Sequence, residues 1–272
     1  MMTVADFGHT TLGNTGIRVC RLGLSASYWP GRKTIYKAFD SGINFFFLFG
    51  IDRQMVAVLS DLFRSHRHEL VVMTGAYNYI WARQNVRRTF ERRLRQLKTD
   101  HIDFFLFLGV MKEAEMPQQV IQDLVRLREE GKVRGIGLST HDRTLAGRLA
   151  SEGLLDTFMI RYNAAHRGAE QDIFPHLAAH NPTLISYTAT RWSFLLRRPK
   201  TWPKDGRIPT APMCYRFVLS NPHVDVCLTA PRNTKQLEEN LASLGDGPLT
   251  DDEMAFMREF GDAVHHTKKW FM

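Results

Sequence analysis

The sequence predicts an α/β fold, a (β/α)8 TIM barrel with an N-terminal β-hairpin and an extra C-terminal helix. Short apolar runs alternate with amphipathic segments in eight units, and short connections join them. The apolar runs are nearly continuous, which is typical of parallel strands covered on both faces. A sheet of eight parallel strands closes into a barrel, and 272 residues suit one such domain, spanning residues 1–272.

The elements follow in chain order. A hairpin is predicted within residues 7–19, where Gly13 to Gly16 form the turn. A final helix is predicted at 251–264, and the connection 191–208, with Pro199 and Pro203, has the length of an active-site lid. The strand and helix of each repeating unit are predicted at 20–24 and 33–40, 44–49 and 53–64, 70–74 and 82–97, 101–108 and 117–130, 131–139 and 143–152, 157–162 and 171–180, 183–189 and 210–220, and 224–229 and 234–244.

The fifth unit ends in polar residues. A charged helix end stops at Gly131, an apolar run follows, and Ser139, Thr140 and His141 come directly after it. In parallel α/β barrels the chemistry collects at the C-terminal ends of the strands. Taken alone, Ser139 and Thr140 are interpreted as capping the next helix, which begins near Asp142. A functional role for them depends on the rest of the chain.

The composition, with 44% apolar and 24% charged residues, is that of a globular protein. The N-terminus lacks the regions of a signal peptide, and no apolar run reaches bilayer length, so we expect a cytoplasmic protein without a membrane partner. Cys20, Cys214 and Cys227 are too scattered for a disulfide framework or a zinc site, and we expect no metal. Much of the net charge of +8 lies on an arginine-rich helix, which we interpret as a solvated face and not as a nucleic-acid site.

Several segments together resemble the aldo-keto reductase superfamily. In chain order they are 12–17 with 21–24, 38–46, 97–103, 131–139, 161–163 with Arg167, and 232–233 with 236–241. Their order and spacing match the family from about Leu12 to Ala263. The resemblance implies a barrel that binds NADP(H) across its C-terminal mouth and transfers hydride to a carbonyl compound.

The resemblance also implies a cofactor site. The family's nicotinamide contacts fall on Ser139, Thr140, Met159 and Tyr187, and Met159 replaces a Gln that holds the carboxamide. At the adenosine end, Arg232 falls on a contact to the 2′-phosphate, which favours NADP(H) over NAD(H) because an Arg fork suits a phosphate monoester. The remaining adenine-nucleotide positions fall on Gln236, Glu239 and Asn240.

The catalytic Asp-Tyr-Lys-His tetrad of the family is missing. Aligned through the strand sequences, its positions fall on Phe47, Asp52, Gly75 and Leu108. A phenol donates a proton efficiently when a neighbouring cation lowers its pKa. Because acid, phenol, cation and imidazole are all replaced, we expect that the usual acid-base step does not operate.

Arg161 is the first candidate for a replacement. Alternation along the sixth strand places it on the same face as Met159 and Asn163, so it should point into the barrel mouth. A buried cation needs an anionic partner, and Asp52 or the carboxylate or phosphate of a ligand would serve. Three roles are considered for Arg161, in this order: a member of a structural ion pair, an anchor for an anionic substrate, and an electrophile. The first two are favoured almost equally.

Other residues should surround the mouth. Phe45, Phe47 and Phe49 share one face of the second strand and predict an apolar pocket floor. The further candidates on the loops are His141, His166, Arg191 with Trp192, and the phenols Tyr28, Tyr77 and Tyr79.

The sequence leaves two functions open. The first is an NADP(H)-binding oxidoreductase that acts on a small carbonyl compound through a non-standard proton relay. The second is a non-redox member of the fold, either a lyase or isomerase that uses Arg161 and Asp52 on an anionic small molecule, or an inactive nucleotide-binding protein. The same barrel hosts many chemistries, so the fold does not decide between them.

Overall fold

The computed structural model describes residues 7–79 and 82–267. Its strands are β1 (His9–Thr11), β2 (Arg18–Cys20), β3 (Leu22–Ser25), β4 (Phe45–Phe47), β5 (Val71–Tyr77), β6 (Ile102–Val110), β7 (Val133–Thr140), β8 (Thr157–Arg161), β9 (Thr183–Tyr187) and β10 (Val226–Thr229). Its α-helices are α1 (Gly31–Asp40), α2 (Arg53–His66), α3 (Val86–Leu97), α4 (Gln118–Glu129), α5 (Arg143–Glu152), α6 (Ala169–Asp172), α7 (Ala211–Leu219), α8 (Thr234–Ala242) and α9 (Asp251–Thr267).

Strands β3 to β10 form a closed barrel of parallel strands. They follow one another around the ring in chain order, and the ring closes where β10 pairs with β3, with Cys227 opposite Leu22. Strands β1 and β2 pair antiparallel outside the barrel. The predicted (β/α)8 barrel, its N-terminal hairpin and the extra C-terminal helix are confirmed.

Alternation along the strands separates two apolar clusters. Phe45 and Phe47 belong to the cluster inside the barrel, whereas Phe46 belongs to the cluster between strands and helices. Phe49 packs against the inner cluster, so the predicted aromatic face is confirmed. Leu12 and Val19 of the hairpin are also fully buried in the inner cluster, which means that the hairpin closes the N-terminal end of the barrel.

Polar side chains tie neighbouring strands together near the same end. In four places an Asn or Asp at the start of a strand accepts a backbone N–H from the segment before it in the ring: Asn44 from Cys20, Asp103 from Val72, Asp156 from Ile136 and Asp225 from Leu184. Asp103 is buried, and its carboxylate also lies 2.9 Å from Nη2 of Arg67 and 3.3 Å from Nε of Arg134. These bonds fix the register of the parallel strands.

One predicted helix is wrong. Residues 171–180 form the end of the short helix α6 and a 3-10 turn, Phe174–His176, instead of one continuous helix. Pro175 lacks the backbone N–H that an α-helix needs at that point, and the chain reverses at Asn181, whose φ is +42°. Helix α3 begins at Val86 rather than at residue 82, after an Asn85 cap, and residues 80 and 81 lie outside the described residues.

Two further observations concern the described residues. Cys20, Cys214 and Cys227 are buried, free thiols. Within 7–79 and 82–267, none of the helices has both the length and the apolar character that a membrane crossing requires.

Asp103→Ala should lower the free energy of unfolding by about 3–5 kcal/mol, because it leaves the Arg67 guanidinium and the Val72 N–H without their buried acceptor. Urea denaturation followed by circular dichroism measures this change. The control is Asp205→Ala, at an exposed loop position, which should change stability by less than about 0.5 kcal/mol. Equal stability of the two variants would contradict a structural role for the Asp103 bonds.

Candidate active site

A cavity of about 640 Å³ opens at the C-terminal ends of the barrel strands, and we call it the mouth cavity. Its apolar part is formed by Phe47, Phe49, Leu108, Met159 and Leu228. Its polar and aromatic part is formed by Ser25, Ser27, Tyr28, Tyr77, Ser139, Tyr187, Thr188, Thr190, Trp192, Ser193, Arg197, Tyr215, Arg232, Gln236, Glu239 and Asn240. A concave, largely apolar pocket with a few convergent polar groups is typical of a small-molecule site.

Three of the four predicted nicotinamide contacts line the mouth cavity, and the fourth does not. Ser139, Met159 and Tyr187 line the mouth cavity. Thr140 instead accepts the backbone N–H of Asp142 at 2.9 Å, and Asp142 in turn caps helix α5 by accepting the N–H of Leu145. The capping interpretation therefore describes Thr140, while Ser139 faces the cavity.

Tyr187 and His141 form a hydrogen-bonded pair at the ends of β9 and β7. The Tyr187 hydroxyl lies 3.0 Å from Nε2 of His141, and the two rings meet edge to face. Burial raises the pKa of Tyr187 to about 12, although Arg161 and Ser139 act in the opposite direction. Burial and the charge of Arg161 lower the pKa of His141 to about 4, so the imidazole is neutral at pH 7.

The predicted adenosine end lies in the same cavity. The guanidinium of Arg232 lies 5.1 Å from the centre of the Tyr28 ring, which meets Trp192 edge to face. The side chain of Gln236 accepts the backbone N–H of Arg232 at 2.9 Å, at the start of α8. Asn240 is buried and donates to Oγ1 of Thr229, so its amide also holds α8 against the barrel.

The loop after β9 has an unusual backbone. Arg191, Trp192 and Ser193 have φ angles of +48°, +55° and +68° in succession. Consecutive non-glycine residues in the left-handed region cost about 1–2 kcal/mol each and persist where surrounding packing fixes them. Leu195 is fully buried, and Arg191 donates to the backbone carbonyl of Val264 in α9. The predicted lid segment is thus held on the C-terminal helix.

Three of the four tetrad positions offer no polar side chain to the cavity. Phe47 and Leu108 line it as apolar residues. At Gly75, an added Cβ would lie 2.1 Å from the backbone oxygen of Leu106 and 2.9 Å from Cδ1 of Leu108. The main chain of β6 therefore occupies the space that a side chain at position 75 would need.

The fourth tetrad position, Asp52, lies in a buried cluster with Tyr77 and Arg93, which we call the Asp52 cluster. One carboxylate oxygen of Asp52 accepts the N–H of Gly50 at 2.9 Å. The other oxygen, the Tyr77 hydroxyl and Nε of Arg93 are buried and have no hydrogen-bond partner within the described residues. Burial raises the pKa values of Asp52 and Tyr77, and the charge of Arg93 opposes both shifts.

Arg93 is the member of this cluster that sequence reasoning missed. It is 2% exposed and donates to the carbonyl oxygen of Phe49 at 3.0 Å. The interpretation of the arginine-rich segment as a solvated face is therefore wrong for this residue. The spacing of Val86, Phe90, Arg93 and Leu97 marks the buried face of α3 and could have identified it.

Of the two partners considered for Arg161, Asp52 is too far away in the ring, which leaves the anionic group of a ligand. Their strands, β8 and β4, are separated by four positions in the ring of eight, so they lie on opposite sides of the barrel. Asp52 is beside Arg93, and within the described residues the Arg161 side chain has neither a hydrogen bond nor an ion pair. Arg161 lies beside Tyr187, its ladder neighbour on β9.

Comparisons with known proteins agree with this architecture. The model of the aldo/keto reductase family matches residues 32–262. The holo form of an aldo-keto reductase from Bacillus halodurans superposes with a TM-score of 0.77 at 17% identity, covering 94% of this chain and 96% of that one. Its apo form gives 0.72 at 19% identity with the same coverage. A Pseudomonas aeruginosa protein described as an aldo-keto reductase gives 0.70 at 24% identity, covering 90% and 96%.

No curated protein matches this chain significantly. At identities below a quarter, the structural matches establish the fold alone.

Gly50→Ala should destabilise the protein by about 3 kcal/mol or more, because it combines an unfavourable positive φ with a clash. A Cβ at Gly50, where φ is +87°, would lie 1.8 Å from Cζ of Arg93. Gly42→Ala is the matched control: its φ is +92° and an added Cβ meets nothing within 4 Å. The control should cost about 1 kcal/mol in urea denaturation, and equal losses would show that Arg93 does not pack on Gly50.

Proposed function

Since the chain belongs to the aldo/keto reductase family, we propose that it binds NADP(H) across the barrel mouth and reduces a small carbonyl compound, with Tyr77 replacing the missing proton donor. The mouth cavity carries this proposal. It joins Ser139, Met159 and Tyr187 to Arg232 and Gln236 in one continuous space. These are the positions at which the family contacts the two ends of its cofactor.

The side chains of the cavity fit an anionic dinucleotide. The Tyr187 ring gives an aromatic surface for the nicotinamide, and Tyr28 and Trp192 give others at the opposite end. Arg197 and Arg232 line the same wall, and neither has an ion pair within the described residues. Two exposed guanidinium groups without a carboxylate partner suit phosphate groups. When bound, NADPH supplies the hydride.

Tyr77 lies where a proton donor is needed. Its strand, β5, is four positions from β9 in the ring, so Tyr77 and Tyr187 line opposite walls of the cavity. A carbonyl compound held against a nicotinamide on Tyr187 would therefore meet the wall of Tyr77, Phe47 and Leu108. In the ladder, Tyr77 pairs with Leu108, the family's His position.

The Asp52 cluster can support the phenol. The Tyr77 hydroxyl is buried without a hydrogen-bond partner in the described part of the chain, so turning toward a carbonyl oxygen breaks no bond. As hydride reaches the carbonyl carbon, the phenol gives its proton to the oxygen and an alcohol forms. Burial, Tyr79 and Asp52 disfavour the resulting phenolate, and the charge of Arg93 favours it until water returns a proton.

A second candidate is a nucleotide-binding protein without redox turnover. It is favoured by the raised pKa values of both cavity phenols, Tyr77 and Tyr187, which burial makes weaker acids than free tyrosine. A lyase or isomerase that uses Arg161 together with Asp52 is disfavoured, because those residues lie on opposite sides of the barrel.

Arg232→Ala should weaken NADPH binding about tenfold to a hundredfold and leave NADH binding nearly unchanged, because it removes a charged contact to the 2′-phosphate. Quenching of tryptophan fluorescence measures both affinities, since Trp192 is at the cavity. Arg126→Ala removes an exposed arginine from α4 and should alter neither affinity. Equal weakening of both nucleotides would contradict the assignment of Arg232, and no saturable NADPH binding would contradict the proposed function.

Tyr77→Phe should lower kcat for carbonyl reduction by about a hundredfold or more and leave NADPH affinity intact, because only the donated proton is lost. Transfer of deuterium from labelled NADPH to a panel of carbonyl compounds measures turnover. Because burial raises the pKa of Tyr77, the phenol stays protonated, and kcat should be constant from about pH 6 to 9.

The control is Tyr36→Phe, which removes a phenol that bonds to Asp61 outside the cavity. Turnover that survives in Tyr77→Phe would exclude Tyr77 as the donor. Tight NADPH binding with no label transfer to any compound would support the second candidate instead.

A further inference from the structure

Arg161 is the last residue of β8 and lies at the barrel mouth. It follows Met159 by two positions, and Met159 packs in the cluster inside the barrel. Because side chains two positions apart on a strand share a face, Arg161 also faces the barrel interior. Its ladder neighbour is Tyr187, which lines the mouth cavity.

Arg161 is partly buried and has no hydrogen bond or ion pair within the described residues. Arginines with similar or greater burial elsewhere have acceptors: Arg21 on Val224, Arg67 on Asp103, Arg93 on Phe49, Arg167 on Asp262, Arg191 on Val264 and Arg216 on Glu253. The Arg161 guanidinium keeps contact with solvent, since Arg161 is partly exposed and its nitrogens are not among the fully buried atoms without partners, so it can bind an anion from solution. The other arginines of similar burial show that this chain normally supplies a hydrogen-bond acceptor to a buried guanidinium.

The groups around Arg161 do not supply the missing negative charge. Burial lowers the pKa of Arg161 first; Tyr187 raises it, and Arg143 and Arg191 lower it further. Burial keeps the Tyr187 phenol protonated, with a pKa of about 12, and the two arginines already have acceptors, Asp172 and the Val264 carbonyl. His141 and His166 are close enough for Arg161 to lower their pKa values, after burial, to about 4 and about 3. The two imidazoles and three guanidinium groups are thus close enough to influence one another electrostatically, and none of them carries a negative charge.

A second unpaired group lies on the neighbouring strand end. Nδ1 of His141 is buried without a hydrogen-bond partner in the described residues, while Nε2 lies 3.0 Å from the Tyr187 hydroxyl. If Nε2 accepts the hydroxyl hydrogen, the neutral ring carries its own hydrogen on Nδ1 and offers it as a donor. Two donors without acceptors therefore lie at the ends of β7 and β8.

We propose that Arg161 and His141 form a binding site for a carboxylate or phosphate group, and that the group belongs to the substrate. The assignment to the substrate rests on the proposed function. In that function Arg197 and Arg232 would hold the phosphate groups of the dinucleotide, which would leave Arg161 to another anion. The substrate class is then a small carbonyl compound that also carries a carboxylate or a phosphate.

Thermal unfolding without cofactor tests the site itself. Phosphate, compared with chloride at equal ionic strength, should raise the midpoint of the wild type by about 2–4 °C. Arg161→Gln should lose most of this shift. Arg126→Gln, which removes the same charge from exposed α4, should keep it. Acetate in place of phosphate shows which group is preferred, and a shift with either anion that depends on Arg161 supports the site.

Pyruvate and hydroxyacetone test the substrate class, because they share a ketone and differ in one carboxylate. Pyruvate should raise the midpoint of the wild type and not of Arg161→Gln, and hydroxyacetone should raise neither. Where NADPH turnover is measurable, Arg161→Gln should raise the KM for pyruvate about tenfold or more relative to the KM for hydroxyacetone.

The outcomes separate the two proposals. Full midpoint shifts in Arg161→Gln, or no shift with any anion, would overturn the anion site whether or not NADPH binds. Anion shifts that depend on Arg161 in a protein that fails to bind NADPH would support the site and refute the proposed function. Dependence on Arg161 for phosphate or acetate but not for pyruvate would overturn the assignment to the substrate.

Discussion

The parallel pairing of β10 with β3 is the interaction on which the rest of the structure depends. It joins the last strand of the repeat to the first and converts an open sheet into a ring without edges. It also brings the loop after β10 next to the loop after β3, so that Arg232 lies over Tyr28. Residues that are about two hundred positions apart in the chain thereby form one wall of the mouth cavity.

The two ends of the ring are built from different chemistry. At the N-terminal end, carboxylates and an amide accept backbone N–H groups from neighbouring strands, and the hairpin fills the opening with Leu12 and Val19. These groups have their partners and serve stability. At the C-terminal end, polar atoms of Asp52, Tyr77, Arg93 and His141 are buried without partners in the described part of the chain, and at the N-terminal end the hydroxyls of Thr157 and Thr183 are too. Only the C-terminal end therefore has charged side chains among these atoms. Unpaired buried polar groups reduce stability, and they concentrate where proteins bind or transform ligands.

Much of the fold could be predicted from sequence, because apolar runs, helix caps and glycine stops are local signals. The inner phenylalanine face of β4 followed from alternation alone. The predicted helix 171–180 does not form because Pro175 lacks the backbone N–H that a continuous α-helix needs there. The site was harder to predict from sequence. Arg93 lies in an arginine-rich helix with a narrow buried face, so its sequence resembles that of a solvated helix. An Asp52–Arg161 pair cannot form because the second and sixth strands of the barrel lie opposite each other.

The close approach of β5 and β6 at Gly75 has a consequence for how this site could change over time. A lysine introduced at that position would first need the main chain of β6 to move, because the Leu106 carbonyl lies where its Cβ would be. A single substitution at Gly75 therefore cannot place a side chain there while the backbone of β6 stays where it is. Redesign of this site therefore has to use the groups that already line the mouth, or begin by moving the backbone of β6.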